Sequence, residues 1–199
     1  MTEEAWSSAL AAFNIEAEAL RQSASRMDMR AFGEAVDALK NAPLIAASGC
    51  GHSGIACAHF AHLMCCIEKP ARFIPPSEAL HGGLGFLAKG SVLLLASRGG
   101  KTAELTPISE VGRARGAIVI TVTENDASPL ARNSDIVLLM LAERETDREN
   151  TQGTASFCAM NAIFDALQAA LIVDMDYVSK RFAQIHPGGA VGKRLNSSV

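Results

Sequence analysis

Two rhythms of apolar residues run along this chain. In the first forty positions Trp6, Leu10, Phe13, Ala17 and Leu20 recur at the three-to-four-residue spacing of one helix face. Asp28, a residue suited to an N-cap, then precedes a second such stripe through Phe32, Val36 and Leu39, which Pro43 ends. Beyond it come short runs that are apolar throughout: 44–48 (LIAAS), 71–74 (ARFI), 91–97 (SVLLLAS), 117–121 (AIVIT) and 135–141 (DIVLLML). Strands apolar on both faces belong in a parallel sheet covered by helices on each side. Helical stretches fall between them at about 53–67, 102–115 and 152–173. The alternation predicts an α/β fold, a three-layer doubly wound sandwich with a five-stranded parallel sheet behind two N-terminal helices. No linker, repeat or shift in composition marks a boundary, so residues 1–199 read as a single domain.

Composition narrows the class of function. Apolar residues make up 49% and the formal net charge is −3, which excludes intrinsic disorder and argues against a nucleic-acid partner. The segment nearest to a membrane span, 159–173, is interrupted by Asn161, Asp165 and Gln168, and the start MTEEAWSSAL lacks the basic-then-apolar order of a signal peptide, so no membrane partner is expected. Cys50, Cys57, Cys65, Cys66 and Cys158 are odd in number and lack CxxC spacing, which reads as reduced thiols in a cytoplasmic protein. Only Cys50 lies in a loop positioned to line a site.

Ligands of doubly wound sheets bind where loops leave the carboxyl ends of the strands. After the first strand, 49–54 (GCGHSG) has GxGxxG spacing, but the second strand ends Phe73-Ile74-Pro75-Pro76 without the carboxylate that a dinucleotide ribose requires. Gly100-Lys101-Thr102 spells the end of a nucleotide-binding P-loop, yet Leu95 occupies the position of its first glycine. A single phosphate fits better. Ser97, Arg98, Gly99, Gly100, Lys101 and Thr102 follow a strand and open a helix, combining backbone N–H groups, two hydroxyls and two cations. Ser48, Gly51 and Ser53 in the first loop, and Thr151 and Thr154 at another hydroxyl-rich helix start, are expected to join this site.

These residues resemble those of the sugar isomerase (SIS) domain family. The family's pieces stand in order as GCGHSG at 49–54, PSEALHGGLG at 76–85, SRGGKT at 97–102, TQGTAS at 151–156 and HPGGAVGKRL at 186–195. The second and last are similar to the arabinose-5-phosphate isomerase branch, which interconverts ribulose 5-phosphate and arabinose 5-phosphate. The chain departs from that branch at His52, where a lysine is usual, at Gly83 for an aspartate, at Gly99 for a serine and at Lys101 for a glutamate. Many members carry paired CBS domains after the HPGGA segment, whereas this sequence stops at Val199.

Isomerisation through a cis-enediol needs a base that moves a proton between neighbouring carbons and a second group that opens the sugar ring, with no cofactor and no metal. The resemblance implies Glu145 as the base, with Glu143 and Glu149 as rivals in the same loop. It implies His186 as the ring-opening group, reaching the site of a neighbouring subunit in a homodimer or homotetramer. His81 and His52 complete the acid–base candidates. The alternatives left open are an isomerase for another sugar phosphate and a non-catalytic phosphosugar-binding module.

Overall fold

The computed structural model describes residues 1–197. Its N-terminal helices start where side-chain caps allow. The Thr2 hydroxyl accepts from Ala5 N–H (3.1 Å) at the head of α1 (Glu3–Arg26), and Asp28 accepts from Ala31 N–H (2.7 Å) at the head of α2 (Met29–Asn41). The apolar runs form β1 (Ile45–Gly49), β2 (Ala71–Phe73), β3 (Val92–Ala96), β4 (Ile118–Thr123) and β5 (Ile136–Leu139). All pairings are parallel, in the order β2-β1-β3-β4-β5. The chain winds away from β1 in both directions, so a crevice opens between the carboxyl ends of β1 and β3.

Strand alternation divides the core in two. Ile45, Ala47, Val92, Leu94, Ile120 and Val122 face one apolar layer, built with α2, α3 (Gly51–Cys66) and α7 (Ala155–Asp174). Ala46, Leu93, Leu95 and Val119 face the other, with Leu105 and Ile108 of α5 (Leu105–Ala114) and Leu130 of α6 (Pro129–Arg132). Phe60 of α3 and Phe164 of α7 join the first layer with ring centroids 4.9 Å apart. A Cβ at Gly54 would sit 2.5 Å from the Gly49 carbonyl oxygen, so glycine lets α3 leave β1 without a gap.

Several features differ from the sequence expectation. α5 begins at Leu105 rather than Thr102, because two turns intervene, with Gly100 N–H donating to Ser97 O and Leu105 N–H to Thr102 O. α4 (Pro76–Leu80), α6, α8 (Ser179–Ile185) and α9 (Gly189–Asn196) were not expected and are too short to show a helical period. α7 is, by length and composition, apolar enough to cross a bilayer despite Asn161, Asp165 and Gln168. Here Ala159, Ile163, Phe164, Leu167 and Leu171 are buried, so its apolar face serves the core. α1 packs along α7 and also reaches the segment after β5, where the Ser23 hydroxyl donates to Leu141 O (3.0 Å) and accepts from Leu141 N–H (2.9 Å).

Candidate functional site

The loop after β3 is folded by its own hydroxyls. Ser97 Oγ accepts from Gly100 N–H (3.1 Å) and shares a hydrogen bond with Thr102 Oγ1 (2.9 Å). Gly100 has φ +64°, and a Cβ there would lie 2.0 Å from Ser128 Oγ, so only glycine fits. Among the described residues, the N–H groups of Gly99, Lys101, Thr102 and Ala103 have no intrachain acceptor. Unpaired N–H groups in a tight loop ahead of a helix suit an anion, and Lys101 is exposed in the same loop.

The Arg98 side chain is engaged elsewhere. Its Nε donates to Glu124 Oε2 (3.0 Å), Nη1 to Glu145 Oε1 (2.6 Å) and Nη2 to Ala142 O (2.7 Å). This corrects the expectation of Arg98 as a phosphate contact: its fork is occupied by the loops after β4 and β5. Glu145 is 1% exposed. Oε2 accepts from the N–H groups of Thr154 (2.9 Å) and Ser156 (3.1 Å) and from Thr154 Oγ1 (3.2 Å), while Oε1 accepts from Arg98 and the Ser156 hydroxyl. Burial alone would push this carboxyl up. The hydrogen bonds from Ser156 and Thr154 and the Arg98 charge outweigh that and hold it below the ordinary glutamate range. Glu145 thereby caps the start of α7.

The remaining candidates are dispersed. Gly51 (φ +55°) opens α3 after Cys50, and both line a cavity of about 580 Å³ with Phe73, Ser77 and Glu104 at the strand ends. Burial raises the Cys50 thiol pKa, with Glu104 adding to the shift. Ser53 is half-buried in the first turn of α3. His52 is exposed, with its ring against Gly153, immediately before Thr154, and edge-on to Phe157 with centroids 6.0 Å apart. Ser48 is a correction: it is fully buried, and its hydroxyl donates to Ile74 O (2.7 Å). Thr151 is exposed and bonded to Asp147 (3.1 Å). Glu143 and Glu149 are exposed on the same loop.

His81 is exposed at the C-cap of α4. His186 stacks on Phe182 (4.9 Å), and its Nδ1 is buried without a partner among the described residues. α8, which leads to His186, is tied by Arg181 to Glu68, ahead of β2 and so toward the amino ends of the strands. No hydrogen bond or ring contact links His186 to Glu145, His52 or the Ser97–Thr102 loop among the described residues. The structure thus gathers Arg98, Glu145 and Thr154, with His52 alongside, and leaves Ser48, Thr151, His81 and His186 apart. Sequence reading missed Glu124, Ser156 and Glu104. Ser156 stands in the same hydroxyl-rich run as Thr154, whereas nothing local marks Glu124 as the partner of Arg98. Among the described residues no three His, Cys, Asp or Glu side chains cluster to hold a metal ion.

Known proteins share this fold. Residues 38–172 match the SIS domain. Arabinose 5-phosphate isomerase KpsF of Escherichia coli is 36% identical over 152 residues, which cover 76% of this chain and 48% of KpsF. The chain spans about half the length of the curated relatives that it matches first. Among solved structures, a candidate sugar-phosphate isomerase of Listeria monocytogenes superposes with a TM-score of 0.90 at 35% identity, covering 94% of this chain and all of that one. The E. coli CFT073 protein c3406 in complex with A5P shares the fold, with a TM-score of 0.86 at 24% identity over 94% of this chain and 100% of its own. The sheet order, the glycine-hydroxyl loop at its switch point and a match over most of the length lead to one assignment: the chain belongs to the SIS domain family.

Proposed function

We propose that the protein is a phosphosugar aldose–ketose isomerase interconverting ribulose 5-phosphate and arabinose 5-phosphate in the cytoplasm. One juxtaposition carries this reading: a loop with unpaired N–H groups at 99–103 adjoins an ionised, buried carboxylate, Glu145, through Arg98. The phosphate sits in the loop against Gly99, Gly100, Ser97 and Thr102, with Lys101 at the rim, and fixes the reacting carbons at a set distance.

The two oxygens of Glu145 are unequal. Backbone N–H groups hold Oε2 and cannot withdraw, whereas only the side chains of Arg98 and Ser156 hold Oε1. Oε1 is therefore the oxygen that takes the proton from C1 of the ketose as the C2 carbonyl gains one, giving the cis-enediol. It returns the proton to C2 while the C1 hydroxyl loses its own to become the aldehyde. His52, which lies beside Gly153, serves the hydroxyl protons in this reading. His186 of a second copy opens the sugar ring, which accords with its lack of contact with those groups among the described residues. Trp6 (54% exposed) and Phe13 (75%) on α1 supply apolar surface for such a homodimer or homotetramer.

A second reading is a phosphosugar-binding module, favoured by the saturation of Glu145: a carboxylate with five donors must release one before it accepts a proton. Incubation with a panel of pentose and hexose phosphates, with products followed by NMR, separates the two. Interconversion of the two pentose 5-phosphates is expected; tight binding with no turnover of any sugar selects the module. Mixing Glu145→Gln with His186→Ala should restore part of the activity if sites are shared between chains.

A further inference from the structure

We infer that Arg98 is a positioning residue that holds Glu145 Oε1 from inside the anion-binding loop, so that the loop fixes both the place and the base strength of the carboxylate. This rests on the reading of Glu145 as the proton acceptor.

Arg98 is clipped at both its ends. Its carbonyl accepts from Thr123 Oγ1 (2.9 Å) and Glu124 N–H (2.9 Å), fixing the main chain to the end of β4. Its guanidinium meets acceptors from two further segments, the Ala142 carbonyl after β5 and the Glu145 carboxylate ahead of α7, besides Glu124 itself. A planar fork suits this three-way contact, whereas a lysine ammonium on a flexible stem does not reproduce it. The guanidinium is only partly exposed and Glu145 is buried, so water screens the pair weakly.

Arg98 approaches from the β3–α5 loop, and Glu124, just after β4, draws on the same guanidinium. Asp147, in Glu145's own loop, is occupied by Thr151 and Gln152. Arg144 reaches the Glu145 main-chain oxygen rather than its carboxylate. His52 stands beyond Gly153, and α7 contributes only Thr154 at its cap and Ser156. Arg98 is thus the cation in direct contact with the carboxylate. Removing it leaves Oε1 with the Ser156 hydroxyl and weakens the preference for the ionised form, so the Glu145 carboxyl must titrate at higher pH. Removing the Glu124 charge frees more of the guanidinium for Glu145 and must move it the other way.

The test is carboxyl 13C NMR on glutamate-labelled protein, with the Glu145 signal assigned by its loss in Glu145→Gln, beside pH profiles of kcat/KM. In Arg98→Gln the Glu145 titration should rise by about one unit or more, and the acid limb of the profile should follow. Affinity for inorganic phosphate should stay within about twofold. Arg98→Lys should recover only part of the shift, and Glu124→Gln, which keeps an acceptor for Ala142 N–H, should lower the titration. A Glu145 titration unmoved in Arg98→Gln, with phosphate binding weakened tenfold, overturns the inference and makes Arg98 a phosphate ligand. Should Arg98→Gln fail to fold, Glu124→Gln decides, and an unmoved signal there also counts against it. A wild-type chain inactive on every sugar phosphate, with the NMR shifts as stated, removes Glu145 as base and leaves the clamp.

Discussion

Two neighbouring regions at the carboxyl ends of the strands treat their polar groups in opposite ways. On the β4–β5 side Glu124, Ala142, Glu145, Thr154 and Ser156 form a closed set in which both Glu145 oxygens and the cap of α7 are satisfied. On the β3 side the 99–103 segment leaves successive N–H groups unpaired. Burial demands the first arrangement, since a buried polar group without a partner is strongly disfavoured. The second is tolerable only where water or an anion reaches the loop. One side is a preformed frame and the other is receptive, with Arg98 as the joint.

Four changes would break or sharpen this contrast. Glu145→Gln should have the largest effect, lowering kcat by about two to four orders of magnitude with little change in substrate affinity. It also points an amide N–H₂ at groups that themselves donate, so the melting temperature should fall too; full activity would remove Glu145 as the base. Next, Gly100→Ala should destabilise by about 3 kcal/mol in urea unfolding, because it strains a left-handed backbone and meets Ser128. Gly99→Ala, where an added methyl meets nothing within 4 Å, should leave stability nearly unchanged. If both are equally tolerated, the receptive loop is not held as described.

Acid should weaken the closed side first. The Glu145 carboxyl is depressed in the folded state, so its contribution is present above the unfolded value of about 4.3 and is lost as pH falls through the folded value. The melting temperature of the wild type should therefore drop more steeply below about pH 4 than that of Glu145→Gln. Only a small loss is expected of Ser48→Ala, which removes one buried hydrogen bond to Ile74 O and should lower stability by about 1 kcal/mol without changing kcat or KM. A large change in KM would return Ser48 to the binding site.

The strands were legible because runs such as Val92–Ala96 are apolar on both faces, and only a covered parallel sheet accommodates that. The loop after β3 was legible as a loop from its glycines and hydroxyls, but its end was not: the turns at Ser97–Gly100 and Thr102–Leu105 delay α5 by three residues. Ser48 misled because the sequence does not say which way a strand-end side chain points; its hydroxyl turns toward the segment after β2. Arg98 misled for a different reason. Its partners lie 26, 44 and 47 positions away, brought together only by the sheet order. His186 illustrates the converse, a residue conspicuous in sequence whose Nδ1 finds no partner among the described residues.

The double hydrogen bond between Ser23 and Leu141 has a consequence for solubility. β5 lies at the rim of the sheet, and such a rim offers unpaired main-chain groups on which another chain can add as a strand. By donating to and accepting from the same residue, the Ser23 hydroxyl imitates one rung of the missing neighbour and closes that residue to strand addition. Helix α1 therefore doubles as a guard against cross-chain pairing. A truncation that removes it should leave the sheet prone to form β-rich aggregates on storage, seen as rising thioflavin fluorescence, before any loss of helix becomes apparent.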